Sequence, residues 1–86
     1  MYKIVFTKEA AKYYKKCDEK AKRLLNESFK KLKENPHYDA NIKRLHGELS
    51  GLFRYRAGSL RVVYSISENE VIVIIVAIGS RGDIYK

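Results

Sequence analysis

The stretch FRYRAGSLRVVYSISENEVIVIIVAI, residues 53–78, decides the fold. Phe53-Arg54-Tyr55-Arg56-Ala57 alternates apolar and charged side chains, the two-residue period of a half-buried strand. Gly58-Ser59 has the Gly-X form of a two-residue hairpin turn. Leu60 to Ile66 alternates again, and Ser67-Glu68-Asn69-Glu70 reads as a second turn. Val71 to Ile78 is apolar at every position, as expected of an inner strand covered on both faces. Three consecutive antiparallel strands follow. With the first turn at Gly58-Ser59, Ala57 faces Leu60, Arg56 faces Arg61, Tyr55 faces Val62 and Arg54 faces Val63. Phe53, Tyr55, Ala57, Leu60, Val62, Tyr64 and Ile66 then share the core face. Arg54, Arg56 and Arg61 share the opposite face with Val63 and Ser65.

Outward toward the N-terminus, Tyr2 to Phe6 reads as one more short strand, with Thr7 placed to cap a helix. From there to Asn35 the apolar positions Ala10, Tyr14, Cys17, Ala21, Leu25 and Leu32 recur at helical spacings. One unbroken helix of that length would reach ~42 Å, too long to lie along so small a core. Two helices are therefore expected, with a corner near Asp18-Glu19 and Asp18 capping the second. Asn35-Pro36 ends the helical region. His37 to Gly51 is expected to be a connection anchored by Leu45 and Leu49. The resulting plan is α+β: a small antiparallel sheet in the order β-α-α-β-β-β, with a two-helix hairpin packed on one face.

With 86 residues the chain is read as a single domain, 1–86, which excludes a two-domain enzyme. A single Cys17 cannot form an internal disulfide; it fits a reducing compartment and is expected to be a small buried residue. Two His and one Cys, widely spaced, make no metal pattern, and the five Gly form no phosphate-loop or dinucleotide fingerprint. Lys3, Lys8 and Lys12 interrupt any leader-like apolar run, and no stretch approaches the ~20 apolar residues of a membrane span. A cytoplasmic protein with no cofactor and no membrane partner is expected.

Lys and Arg number 18 against 10 Asp and Glu, a formal net charge of +8 that points to an anionic partner and raises nucleic acid among the candidates. Ten of the twelve Lys lie in residues 1–42, largely on helix faces turned to solvent. Five of the six Arg lie in the second half: Arg44, Arg54, Arg56, Arg61 and Arg81. The guanidinium fork suits bidentate phosphate contacts. Arg56 directly opposite Arg61 is a repulsive pair, which a bound anion would turn into an attraction. Continuing the register through the second turn sets Arg61 against Val76. It carries Gly79-Ser80-Arg81 to the same sheet end as Arg56, where a bulge at Gly79 would turn Arg81 toward the other arginines. With Tyr85 nearby, four Arg and one aromatic ring would make a phosphate site with a stacking platform.

The segment from Lys43 to Tyr85 resembles the RelE/ParE superfamily of bacterial and archaeal toxins. The Leu45-His46-Gly47, Gly51-Leu52-Phe53-Arg54-Tyr55-Arg56, Leu60-Arg61-Val62-Val63-Tyr64 and Ile78-Gly79-Ser80-Arg81 to Tyr85 pieces carry the resemblance in order, and the N-terminal strand and helix pair extend it over almost the whole chain. Within the superfamily the chain is most similar to the RelE branch. That resemblance implies a ribosome-dependent endoribonuclease that cuts mRNA in the A site without a metal and is neutralised by a RelB-like antitoxin. By motif, Arg54, Arg56, Arg61, Arg81 and Tyr85 would be the catalytic set. Arg61 would stabilise the phosphorane, Arg81 the leaving side, and Tyr85 would stack on a base or move a proton.

Attack by the ribose 2′-OH also needs a base. The family often has Lys at the two strand positions held here by Arg54 and Arg56, and a guanidinium does not give up its proton. His46 and Glu48, in the loop before that strand, are the candidate acid/base groups. Lys43 and Arg44, beside the site, are candidates for RNA contact. Two alternatives stay open: a ParE-like toxin that inhibits DNA gyrase without nuclease activity, and a relative that has lost catalysis.

Overall fold

The computed structural model describes residues 1–80. Its first turn shows how the helices are seated. Thr7 Oγ1 accepts the Ala10 N–H at 3.2 Å and donates to the Val76 carbonyl at 2.9 Å, so one hydroxyl starts helix α1 (Lys8–Lys16) and ties it to the sheet. The chain turns at Cys17. Asp18 Oδ1 accepts the Ala21 N–H at 2.8 Å, and helix α2 runs Glu19–Glu34. The corner at Asp18 and the stop at Asn35 stand as expected from the sequence. Cys17 does not become a core residue: it is only half-buried at the corner, its thiol donating to the Tyr13 carbonyl at 3.3 Å. A corner residue has solvent on one side. Even so, partial burial, then the neighbouring Asp18, pushes the thiol pKa up.

Five strands form one sheet in the order β1-β5-β4-β3-β2. They are β1 (Lys3–Phe6), β2 (Ile42–Arg44), β3 (Phe53–Ala57), β4 (Leu60–Ser67) and β5 (Ile72–Ser80). The α+β class holds, with two differences from the expected plan. The sheet is mixed, because β1 pairs parallel to β5, Lys3 opposite Ile72 and Phe6 opposite Ile75. A parallel pair needs a long crossover rather than a tight hairpin, and the chain between these strands includes the helix pair. The second difference is β2, inside the segment expected to be a plain connection. It pairs antiparallel with β3 through three residues, and a 3-10 turn at Gly47–Leu49 joins the two.

The core lies between the helices and one sheet face. Leu25, Leu32 and Phe29 of α2 and Ala10 of α1 pack on Tyr55, Val62, Tyr64, Val73, Ile75 and Ile78. Tyr64 is fully buried, donates to the Pro36 carbonyl at 2.7 Å and stacks on Phe53 with centroids 5.5 Å apart. At the opposite end of the sheet from Gly58, Glu68 of the β4–β5 turn accepts from Tyr2 Oη at 3.1 Å and meets His37 Nε2 at 2.8 Å. Gly58 needs its missing side chain twice over: its φ is +64°, and a Cβ there would stand 3.1 Å from Leu24 Cδ1. No helix among the described residues is long and apolar enough to cross a membrane.

Candidate functional site

The β3–β4 register is the one read from the hairpin: Arg54 opposite Val63, Arg56 opposite Arg61. Since Tyr55, Ala57, Leu60 and Val62 are buried beneath the helices, alternation puts the three arginines on the far face. β2 adds a fourth cation that the sequence reading had not placed in a strand. Lys43 pairs with Arg54, so its side chain emerges on the same face. Two rows result: Arg56 beside Arg61, and Lys43 beside Arg54. Neighbours within a row are ~5 Å apart at Cβ, and the rows lie ~7 Å apart along the strands.

The last strand corrects the expected arrangement. Arg61 lies opposite Gly79, not Val76. Two local features move it. The second turn extends through Val71, which has φ 56°, so β5 starts at Ile72. The register then slips by one more residue between Val63 and Tyr64. The buried Gly79 thus presents no side chain beside Arg61 on that face. Arg81 and Tyr85, the other two expected catalytic residues, lie outside the described residues.

None of Lys43, Arg54, Arg56 and Arg61 is paired with a carboxylate among the described residues, where the ion pair seen is His37–Glu68. In water-like dielectric, like charges ~5 Å apart repel by under ~1 kcal/mol, a small cost that a phosphate between them reverses. Arg54 has a second mark of an unfilled role: its Nε is buried and has no hydrogen-bond partner among the described residues. Beside it a cavity of about 250 Å³ opens between Lys43, Leu45, His46, Leu49 and Arg54. The loop that folds over this edge is held by the Leu45 N–H bonded to the Leu52 carbonyl at 3.0 Å and by left-handed Gly47 and Gly51.

The other two loop and strand residues separate from this group. Glu48 is exposed on the 3-10 turn and does not line the cavity. Arg44 alternates to the other face of β2, opposite Phe53, with its guanidinium carbon 5.7 Å from that ring centroid. The Lys43–Arg54 row was not legible because β2 is three residues long, below the span at which alternation can be distinguished from chance. No group of three or more His, Cys, Asp and Glu gathers as a metal site among the described residues.

The comparisons with known proteins agree over nearly the whole chain. Residues 4–85 match the family described as the ParE toxin of the type II toxin–antitoxin system parDE. A curated Escherichia coli protein named as RelE-like toxin is 28% identical over 92 residues, covering 99% of this chain and 90% of that protein. The RelBE2 toxin–antitoxin complex from Mycobacterium tuberculosis contains a chain that superposes with a TM-score of 0.80 at 27% identity, over 93% of this chain and 98% of that one. The toxin fold in the Escherichia coli RelBE complex superposes with a TM-score of 0.78 at 23% identity, over 94% and 98% of the two chains.

Proposed function

This chain belongs to the ParE toxin family and, with it, to the RelE/ParE superfamily of type II toxin–antitoxin toxins, and from that premise we propose that it is an endoribonuclease that cuts mRNA in the ribosomal A site. One observation carries the reading. Arg56 and Arg61 stand directly opposed, with Arg54 and Lys43 in the next row and no carboxylate among the described residues to neutralise them. A fold selected for stability alone gains nothing from that arrangement, whereas a phosphodiester turning into a dianionic phosphorane is matched by it.

In this reaction the ribose 2′-oxygen bonds to phosphorus as the bond to the 5′-oxygen breaks. The products are a 2′,3′-cyclic phosphate and a 5′-hydroxyl. The nucleophile comes from the substrate, so the protein supplies charge, a base and an acid. Arg61, opposite Gly79 in the register, would stabilise the phosphorane. His46 is favoured over Glu48 as the base, because it lines the cavity beside Arg54 and Glu48 does not. Arg81 at the leaving oxygen and Tyr85 at a base are carried by the superfamily motif. The ribosome would hold the RNA in line, which is why so small a protein could work without a deep pocket. A RelB-like antitoxin would neutralise it.

The test is cleavage of mRNA on programmed ribosomes. Cuts should fall within the A-site codon and leave 5′-hydroxyl ends. Arg61→Ala should lower the single-turnover rate by ~10²–10³-fold, the usual loss of one transition-state donor, with the melting curve unchanged. Full activity in Arg61→Ala would remove the site assignment.

A second reading is favoured by the family match itself, which is to the ParE toxin. Toxins of that kind inhibit DNA gyrase, and fold alone does not separate the two activities. Inhibition of gyrase supercoiling by the purified chain, with no cuts on ribosomes, would establish it.

A further inference from the structure

A serine stands at the tip of the hairpin that carries the opposed arginines. Gly58 and Ser59 make up the whole β3–β4 turn, closed by Ala57 opposite Leu60. The positions on either side of Ser59 both face the helices: a Cβ on Gly58 would stand 3.1 Å from Leu24 Cδ1, and Leu60 is buried. Ser59 between them is exposed, and no side-chain hydrogen bond among the described residues holds its hydroxyl. The first pair beyond the closing one is Arg56 opposite Arg61. Arg61 lies two residues along β4 from Ser59, ~7 Å at ~3.3 Å per residue, which a long side chain spans. Neither arginine is paired with a carboxylate among the described residues.

In sequence the same residues read Arg54-Tyr55-Arg56-Ala57-Gly58-Ser59-Leu60-Arg61. Arginines precede the hydroxyl by five and by three residues and follow it by two, with no acid in the stretch. Kinases choose their serines by such charge patterns, reading arginines with an acidic cleft. Other serines of the chain differ in setting. Ser28 is buried and donates to the Leu25 carbonyl at 2.7 Å, Ser67 donates to Glu70 at 3.3 Å, and Ser50 follows Glu48 by two residues. A phosphate ester on Ser59 would carry about −1.5 to −2 charges beside two guanidinium groups that have no other counter-ion. Phosphate set against arginines gains short, charge-assisted hydrogen bonds. Because it would be tethered to the turn, it would meet them at a high effective concentration.

We propose that Ser59 is a phosphorylation site whose phosphate closes on Arg56 and Arg61 and takes the place of an RNA phosphate there. In the modification, Ser59 Oγ bonds to the γ-phosphorus of ATP on an arginine-directed serine kinase as the bond to the β,γ-bridging oxygen breaks. ADP leaves with that oxygen, and the hydroxyl proton passes to the kinase. The inference rests on reading the arginine face as a phosphate site. It adds regulation of that site and asks nothing of the base or of the group at the leaving oxygen.

The test uses the full chain. Incubated with ATP and an arginine-directed serine kinase, it should gain a phosphate that mass spectrometry maps to Ser59 and that Ser59→Ala does not acquire. No modification, or modification of another serine instead, would overturn the proposal. Phosphoserine installed at position 59 during synthesis then reports on docking. Its second ionisation, ordinarily near pH ~6, should fall by ~1 pH unit or more in a phosphorus NMR titration, because two cations favour the dianion. In Arg56→Gln it should return toward the ordinary value. An ordinary titration in the parent background would overturn the docking. Affinity for a single-stranded RNA oligonucleotide should drop by at least about tenfold on phosphorylation, while Ser59→Ala should bind as the parent does. Equal affinity with and without the phosphate would overturn the blocking role. A parent chain that neither binds nor cuts RNA would remove the nuclease reading alone, since the phosphorus titration still decides whether phosphate occupies the Arg56–Arg61 row.

Discussion

Tyr64 joins the core to the connection that leaves α2. Its ring is enclosed on all sides and its hydroxyl has one partner, the Pro36 carbonyl at 2.7 Å. Burial, more than the neighbouring Asp39 and Tyr55, holds the phenol well above its ordinary pKa of 10.0. The proton is therefore retained in the folded chain and released on unfolding once the pH passes that ordinary value. Below about pH 10 both states hold the proton and Tyr64 adds no pH dependence; above it the unfolded state gains and stability falls. Tyr64→Phe leaves the Pro36 carbonyl unbonded and should cost ~1–3 kcal/mol at neutral pH. Denaturant titrations at pH 8 and pH 11 should show the gap between parent and variant narrowing at the higher pH. The same scale explains the reading of Arg56 and Arg61. Their pairing was visible because Gly58-Ser59 fixes the hairpin register, and Gly58 can take its place only by having a positive φ and no side chain against Leu24.

Among the elements, the β4–β5 hairpin combines strain with function. Val71 is a β-branched residue at φ 56°, 44% exposed, whose carbonyl accepts the Lys3 N–H at 3.0 Å. A left-handed backbone costs such a residue about 1–2 kcal/mol. Val71→Asn keeps the carbonyl and gives up little burial. It should raise the melting temperature, by ~4–8 °C for each kcal/mol recovered in a domain of this size; an unchanged or lower value would mean that the turn does not hold this strain. This turn, with the slip after Val63, is why the strands were legible and their register was not. Alternation identifies a strand from its own residues. The offset between two strands depends on how many residues the turn takes and on where one strand bulges, and neither leaves a pattern in side-chain type. So Arg61 was set against Val76 when it faces Gly79. The helices were easier to place, because Thr7 and Asp18 cap from their own positions. β2 was missed because Ile42-Lys43-Arg44 is too short to display a period, although it brings Lys43 beside Arg54.

For the whole molecule, two groups of cations within the net charge of +8 lie on separate surfaces and differ in side-chain chemistry. Guanidinium groups on the sheet face are forks fitted to phosphate, and the ammonium groups of Lys3, Lys15, Lys30 and Lys33, around a groove between β1 and the helices, are mobile points of charge. RNA affinity measured against salt should separate them. Lys43→Gln should reduce the slope of log K against log salt by about 1 with little change in base preference, while Lys30→Gln should leave the slope as it is. The parallel pairing of β1 with β5 has a consequence in time as well as space. Lys3 and Ile72 are neighbours in the sheet, yet they are synthesised at opposite ends of translation. No shorter nascent chain can assemble the sheet, so the arginine rows acquire their backing only after nearly all the described residues have been polymerised. Arrest-peptide measurements on a truncation series should register folding force only after residues 72–75 have cleared the exit tunnel.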